Sequence, residues 1–129
     1  MVRDVLTGND VAWNTFQNED VGVAIDKADD AEISVADVAQ ADHKALMLRF
    51  SISAATAADT ITIKAGDGFR SGLGALVLSL TGGVQEVLCG PLETARFKIQ
   101  NAVTDKGKIY IDYAGSTIAG TAFLYLIDK

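Results

Sequence analysis

The residue types that most often perform catalysis are rare in this chain. A Ser-His-Asp or Cys-His mechanism would need His43, the only histidine, as its base. This histidine lies between Asp42 and Lys44 at the start of an alternating segment, a position typical of a solvated surface residue. The only cysteine, Cys89, follows an apolar segment with no neighbouring cation to lower its pKa, which favours a packing role. We therefore predict no catalytic residues and no enzymatic activity. A β-fold hydrolase with two distant carboxylates is the remaining enzymatic alternative.

A group of acidic residues resembles a metal-binding loop in composition but not in pattern. Asp26, Asp29, Asp30 and Glu32 lie within seven residues of one another. An EF-hand loop needs oxygen ligands at alternating positions, a central glycine and a terminal glutamate, whereas this segment lacks the glycine and contains Lys27. We interpret it as an acidic surface turn and predict neither a metal nor a cofactor.

Residues 66–74 contain four glycines in nine positions, which indicates a loop with unusual backbone angles or close backbone contacts. A phosphate-binding loop would lead into a helix, but this segment leads into an alternating strand pattern. The loop is therefore predicted to be structural or to bind a partner. It carries Phe69 beside Arg70, and aromatic residues and arginine are enriched at interaction hot spots.

Two further aromatic residues, Trp13 and Phe16, lie in the acidic N-terminal segment. They are predicted either to anchor this segment to its own domain or to dock it onto a neighbouring subunit, and the sequence favours neither. Together with Phe69 and Arg70 they are the candidate interaction residues.

The elements that would position these residues belong to one compact domain. The chain has 129 residues, of which 49% are hydrophobic, a size and composition that suit a single packed domain. One cysteine excludes an intramolecular disulfide framework, and a net charge of −6 argues against a nucleic-acid partner. Residues 1–42 carry a net charge of −8 and residues 43–129 a net charge of +2. An acidic, solvated face is the preferred interpretation of this division.

The absence of a signal-peptide core and of a membrane-length apolar run predicts a protein made in a cytoplasm, not secreted by a signal peptide and without a membrane partner.

Alternation of apolar and polar residues predicts about eight strands. The clearest segments are residues 44–53, 60–65, 94–100 and 108–113, and the last strand, 121–127, is apolar on both faces and therefore predicted to be central or at an interface. Weaker strands are expected at 21–25 and 31–35, and a hairpin is expected where residues 81–83 join strands 75–80 and 84–89. A short helix over 35–47 is a less favoured alternative to a strand. The predicted fold is an all-β, single-domain β-sandwich or jelly-roll-like barrel (1–129), with residues 1–20 as an irregular arm or edge segment and 21–129 as the packed body.

Several segments of the last 70 residues resemble small virion proteins of tailed bacteriophages and prophages. The resemblance rests on Thr60-Ile-Thr-Ile-Lys-Ala-Gly-Asp-Gly68, Gly74-Ala-Leu-Val-Leu-Ser-Leu80, Gly90-Pro-Leu-Glu-Thr-Ala-Arg-Phe97 and Gly107-Lys-Ile-Tyr-Ile-Asp112. These virion proteins are head decoration or capsid-stabilising proteins. The resemblance implies a non-enzymatic protein of the virion, made in a bacterial host, that binds the outside of the major capsid protein shell. It also implies a homo-oligomer, with a trimer favoured.

A carbohydrate-binding β-sandwich module is the alternative function. Sugar sites commonly present an exposed aromatic ring beside polar groups. Tyr110, on the polar face of its predicted strand, is the best candidate for such a ring.

Overall fold

The computed structural model describes residues 2–12, 20–101 and 104–129. Their strands form two five-stranded sheets that pack face to face, so the prediction of an all-β, sandwich-like domain is confirmed. The strands are β1 (Asp4–Val5), β2 (Gly8–Val11), β3 (Val23–Ala24), β4 (Ala31–Ile33), β5 (Lys44–Ala54), β6 (Thr60–Ile63), β7 (Leu76–Ser79), β8 (Gln85–Cys89), β9 (Ile109–Ala114) and β10 (Ala119–Asp128). The helices are α1 (Val35–Ala39) and α2 (Thr94–Phe97), and short 3-10 turns span Gln40–Asp42 and Ser71–Leu73.

The order of the strands leaves the sandwich open. The first sheet has the order β1-β4-β9-β6-β7, and the second has the order β2-β10-β5-β8, with β3 also paired to β10. No pairing among the described strands closes the sheets into a barrel. Consequently β7 and β8 are edge strands at one side of the sandwich, and β1 and β2 are edge strands at the other.

The core forms where the alternating segments face each other. In β5, alternate side chains from Leu46 to Ile52 are buried, and β6 and β9 contribute buried isoleucines from the opposite sheet. Burying an aliphatic or phenylalanine side chain of this size stabilises a fold by about 1.5–3 kcal/mol. The strands predicted over residues 44–53, 60–65 and 108–113 are confirmed as β5, β6 and β9.

β10 is the central strand of the second sheet, as its apolar faces predict. It pairs antiparallel with β5 over ten residues, parallel with β2, and antiparallel with β3. A register shift lies at Ala119 and Gly120, where the Gly120 φ angle is +146°. A Cβ at Gly120 would lie 2.1 Å from the Ser51 carbonyl oxygen, so only glycine fits this close approach.

Residues 4–11 contain two strands at the edges of the sheets. β1 pairs parallel with β4 in the first sheet, and β2 pairs parallel with β10 in the second. Leu6, at the crossing between them, is 2% exposed, and its N–H donates to the Glu32 carbonyl at 3.0 Å. Residues 4–11 therefore belong to the two sheets, at their edges. Trp13 and Phe16 lie outside the described residues.

The expected hairpin at residues 81–83 is wrong, because β7 and β8 belong to different sheets. The Leu80 N–H donates to the Asp59 carbonyl, and the Gly83 N–H donates to the Ala55 carbonyl. These bonds tie the turn to the connection between β5 and β6. The chain therefore crosses from one sheet to the other at the end of the sandwich instead of folding back beside β7.

The strand expected over residues 94–100 is also wrong, since Thr94–Phe97 forms α2. The Phe97 N–H donates to the Glu93 carbonyl and the Lys98 N–H to the Thr94 carbonyl, and Phe97 is buried. A helical turn can bury one aromatic residue as well as a strand can, so the alternation over residues 94–100 did not separate the two. The less favoured helix over 35–47 is found only at its start, where Val35–Ala39 forms α1. Residues 44–47 belong to β5, as the favoured strand predicts.

Candidate interaction surface

The glycine-rich loop presents Phe69 to solvent. Its ring is 92% exposed, the largest exposed fraction among the large hydrophobic side chains of the described residues. The Arg70 side chain, about half exposed, turns back to pair with Glu93, with Nε 2.7 Å from the carboxylate. The structure thus places the two loop residues singled out from the sequence at the surface, with Phe69 free to contact a partner and Arg70 bound to the domain.

Hydrogen bonds to α2 and the residues after it fix the shape of this loop. The Gly66 N–H donates to the Arg96 carbonyl at 2.8 Å, and the Arg70 N–H donates to the Ala95 carbonyl at 3.1 Å. The Asp67 carboxylate accepts the N–H of Asn101 at 3.1 Å. A Cβ at Gly66 would lie 2.1 Å from the Lys98 carbonyl oxygen, which explains glycine there. A loop fixed in this way loses little conformational entropy when a partner binds to Phe69.

A second apolar surface lies at the open side of the sandwich, between β7 and β8. We call it the mouth; it is a groove of about 280 Å³ lined by Leu76, Val77, Leu78, Val87, Leu88, Cys89 and Gly90. Leu78 is opposite the buried Ile61 and Val87 is opposite the buried Phe50, so both point toward the core from the edges of their sheets. Sequence reasoning missed the mouth, because the expected hairpin would have paired β7 with β8 and covered it.

Two residues weighed as catalytic lie in unreactive surroundings. His43 is exposed at the end of a 3-10 turn, where it was expected. Cys89 is half-buried against the core, and burial raises the pKa of its thiol, so the reactive thiolate is disfavoured. This environment agrees with a packing role for Cys89.

The acidic segment is only in part a surface turn, because Glu32 lies in β4 and is 6% exposed. Both the segment itself and residues in or just before β9 hold its carboxylates. Asp26 accepts the Ala28 N–H, Asp30 accepts the Tyr113 N–H at 2.9 Å, and Glu32 pairs with Lys108. Asp4, Asp26 and Asp29 have carboxylate oxygens within 4.8 Å of one another. Exposed carboxylate groups are common without an ion, and we assign none to this cluster.

Tyr110, the candidate sugar-stacking residue, is packed under Arg3. The guanidinium lies 4.0 Å from the ring centre and also pairs with Asp112, with Nη1 2.7 Å from Oδ1. Burial and a hydrogen bond to Asp105 raise the pKa of Tyr110 to about 12. Arg3 covers one face of the Tyr110 ring, so a sugar ring cannot stack on that face.

No family model matches the chain, and no curated protein or solved structure matches it either. The resemblance to phage virion proteins therefore stays a prediction. No described helix has both the length and the apolar character needed to cross a membrane.

Proposed function

We propose that this protein is a non-enzymatic virion structural protein that binds the outer surface of a phage capsid as an oligomer and stabilises the shell. The observation that carries the proposal is the fixed loop with the exposed Phe69 at its tip. An aromatic ring on a pre-organised loop is suited to insert into a pocket of a protein partner, and such anchors provide most of the binding energy in many interfaces. The capsid as partner comes from the resemblance.

The β-sandwich supports a binding role because it positions this loop through backbone hydrogen bonds instead of through a ligand. The loop runs from the end of β6 into β7, so two paired strands of the first sheet fix both of its ends. Asp67 and Arg70 are engaged with residues near α2. Phe69 can therefore be removed without removing the contacts that shape the loop.

The test is co-sedimentation of the purified protein with empty shells assembled from the major capsid protein of a tailed phage. We expect the wild-type protein to sediment with the shells and Phe69→Ala to bind about 30-fold more weakly, the loss that a hot-spot residue of about 2 kcal/mol produces. Val2→Ala is the control, because Val2 is 84% exposed but lies at the opposite side of the sandwich.

Two results would contradict parts of the proposal. If the wild-type protein stays in the supernatant at every shell concentration, it does not bind the capsid. If Phe69→Ala sediments as well as Val2→Ala does, the shell is bound through a different surface.

A further inference from the structure

The mouth has the features of an interface and lacks the features that protect an exposed strand edge. Ten large hydrophobic side chains are exposed among the described residues, and six of them lie between Phe69 and Leu88. Natural edge strands are usually protected by lysines, prolines, bulges or a covering segment. β7 and β8 contain no lysine, no proline and no bulge, and no described strand covers their outer edges.

Charge indicates what kind of partner fits the mouth. Glu86 is the only charged residue between positions 71 and 92, and its carboxylate is engaged by Arg49 and Ser51 on the outer face of the second sheet. The net charge of −6 is concentrated in the N-terminal third. That third supplies β1 and β2 at the far edges of the two sheets, and the acidic turn beside β4.

We infer that the mouth is a two-fold interface between two copies of this chain, formed by antiparallel pairing of β7 with β7 of the second copy. A second copy supplies an uncharged, apolar and unpaired strand. The arrangement also holds the acidic edges of the two copies far apart, which minimises like-charge repulsion. Pairing would extend the first sheet from five strands to ten and bring the two mouths together.

The pairing register follows from the faces of β7. Leu76 and Leu78 point toward the core and Val77 points outward, opposite Thr62. In the paired sheet, the core-facing side chains of both copies must lie on the same face. A two-fold axis that meets this condition places the two Val77 side chains directly opposite or diagonal to each other, within contact distance. The contact is isologous and gives dimers, whereas the trimer implied by the resemblance would need a different, head-to-tail surface.

The size of the mouth sets the expected strength. β7 and β8 have nine residues together, fewer than the 20–30 residues per side of a standard interface. We therefore expect a weak dimer, detectable between about 10 µM and 1 mM protein. Capsid binding through Phe69 is measured by co-sedimentation and dimer formation by solution mass. The capsid-binding proposal and the dimer proposal can therefore fail independently.

The experiment is light scattering over this concentration range with paired charge variants. The wild-type mass should rise from 13.6 kDa toward twice that value. Val77→Lys and Val77→Glu alone should each dissociate at least about tenfold more readily, because like charges then face each other across the axis. An equimolar mixture of the two variants should recover the dimer. Val21→Lys is the control, since Val21 is 51% exposed beside β2, at the opposite edge of the second sheet.

Each contrary outcome overturns the inference. A wild-type protein that stays monomeric at 1 mM, about the upper limit for a small interface, removes the dimer. A dimer that persists in both charge variants lies on a different surface. A mixture that does not recover the dimer, or a trimeric mass, excludes the two-fold pairing. Ser79→Lys and Ser79→Glu, on the same exposed face of β7 as Val77, repeat the test if circular dichroism shows that a Val77 variant does not fold.

Discussion

Leu6 lies where the chain passes from the first sheet to the second, and its replacement by alanine tests whether the N-terminal segment is part of the domain. The side chain is 2% exposed and belongs to the core. Buried Leu→Ala substitutions destabilise proteins by about 2–5 kcal/mol, through lost transfer energy and the cavity left behind. A segment that was only an arm would lose less than about 0.5 kcal/mol, as surface substitutions do.

We expect Leu6→Ala to lower the free energy of unfolding by about 3 kcal/mol, near the middle of that range. For a chain of this length the melting temperature should fall by about 10 °C. The measurement is urea denaturation followed by circular dichroism. Val5→Ala is the matched control, because the neighbouring Val5 is 52% exposed and should change the free energy by less than about 0.5 kcal/mol.

A loss below about 1 kcal/mol for Leu6→Ala would refute the packing described for β1 and β2. A loss in the expected range with an unchanged slope against urea would show that residues 4–11 unfold together with the sheets. The comparison with Val5→Ala separates packing from any general effect of substitution in this strand.

Two pH-dependent predictions follow from the environments of titratable groups. Burial raises the pKa of Tyr113 and of Tyr125, and burial together with a hydrogen bond to Asp105 raises the pKa of Tyr110 to about 12. Near-ultraviolet titration of the native protein should therefore show tyrosinate only above the unfolded midpoint of about 10. Native tyrosines that titrate at that midpoint would contradict this expectation. The folded protein favours the neutral form of these tyrosines. Their contribution to the free energy of unfolding is therefore complete below about pH 10 and is lost as the pH rises through their pKa values in the folded protein. Hydrogen bonds from Thr56 and other backbone groups lower the pKa of the buried Asp59, so its stabilisation is present above about pH 4 and lost as the pH falls through the folded pKa. The difference in unfolding free energy between wild type and Asp59→Asn should therefore narrow in acid, as urea denaturation at neutral and acid pH can measure, and a constant difference would count against this role of the carboxylate.

The sequence predicts the centre of the fold better than its edges. β5 is eleven residues long, and four buried side chains alternate along it from Leu46 to Ile52, which is enough to indicate the buried face. Alternation over residues 75–80 and 94–100 is compatible with more than one outcome, because it shows neither which strand β7 pairs with nor whether Phe97 is buried by a strand or by a helical turn. The structure of these segments depends on bonds to distant backbone groups, such as that from the Gly66 N–H to the Arg96 carbonyl, which no local pattern reveals.

The sequence also predicts one of the two candidate surfaces and not the other. Phe69 could be singled out because glycine density marks a loop and an aromatic residue at its tip is unusual. The mouth could not, because its exposure depends on β7 and β8 belonging to different sheets. Leu76 and Val87 read as ordinary core positions of two strands, and only the strand order shows that they lie at an open edge.

Part of the charge division along the chain becomes a contact between its two parts. Among the described residues, four ion pairs join the acidic third to the rest: Asp10 with Lys44, Asp20 with Arg49, Glu32 with Lys108, and Arg3 with Asp112. Each ion pair at or near the surface stabilises a fold by only about 0–1 kcal/mol. These pairs therefore favour one position of the N-terminal strands but do not provide their attachment to the domain.

Buried groups must then provide the attachment of those strands. The Asn9 side chain, 6% exposed, donates to the Leu124 carbonyl at 2.9 Å and accepts the Val21 N–H at 2.8 Å. With Leu6 it fastens β2 to the central strand, while the acids that remain unpaired stay at that side of the sandwich. The opposite side is left nearly free of charge, and this is why an acidic protein can present an apolar mouth to a second copy of itself.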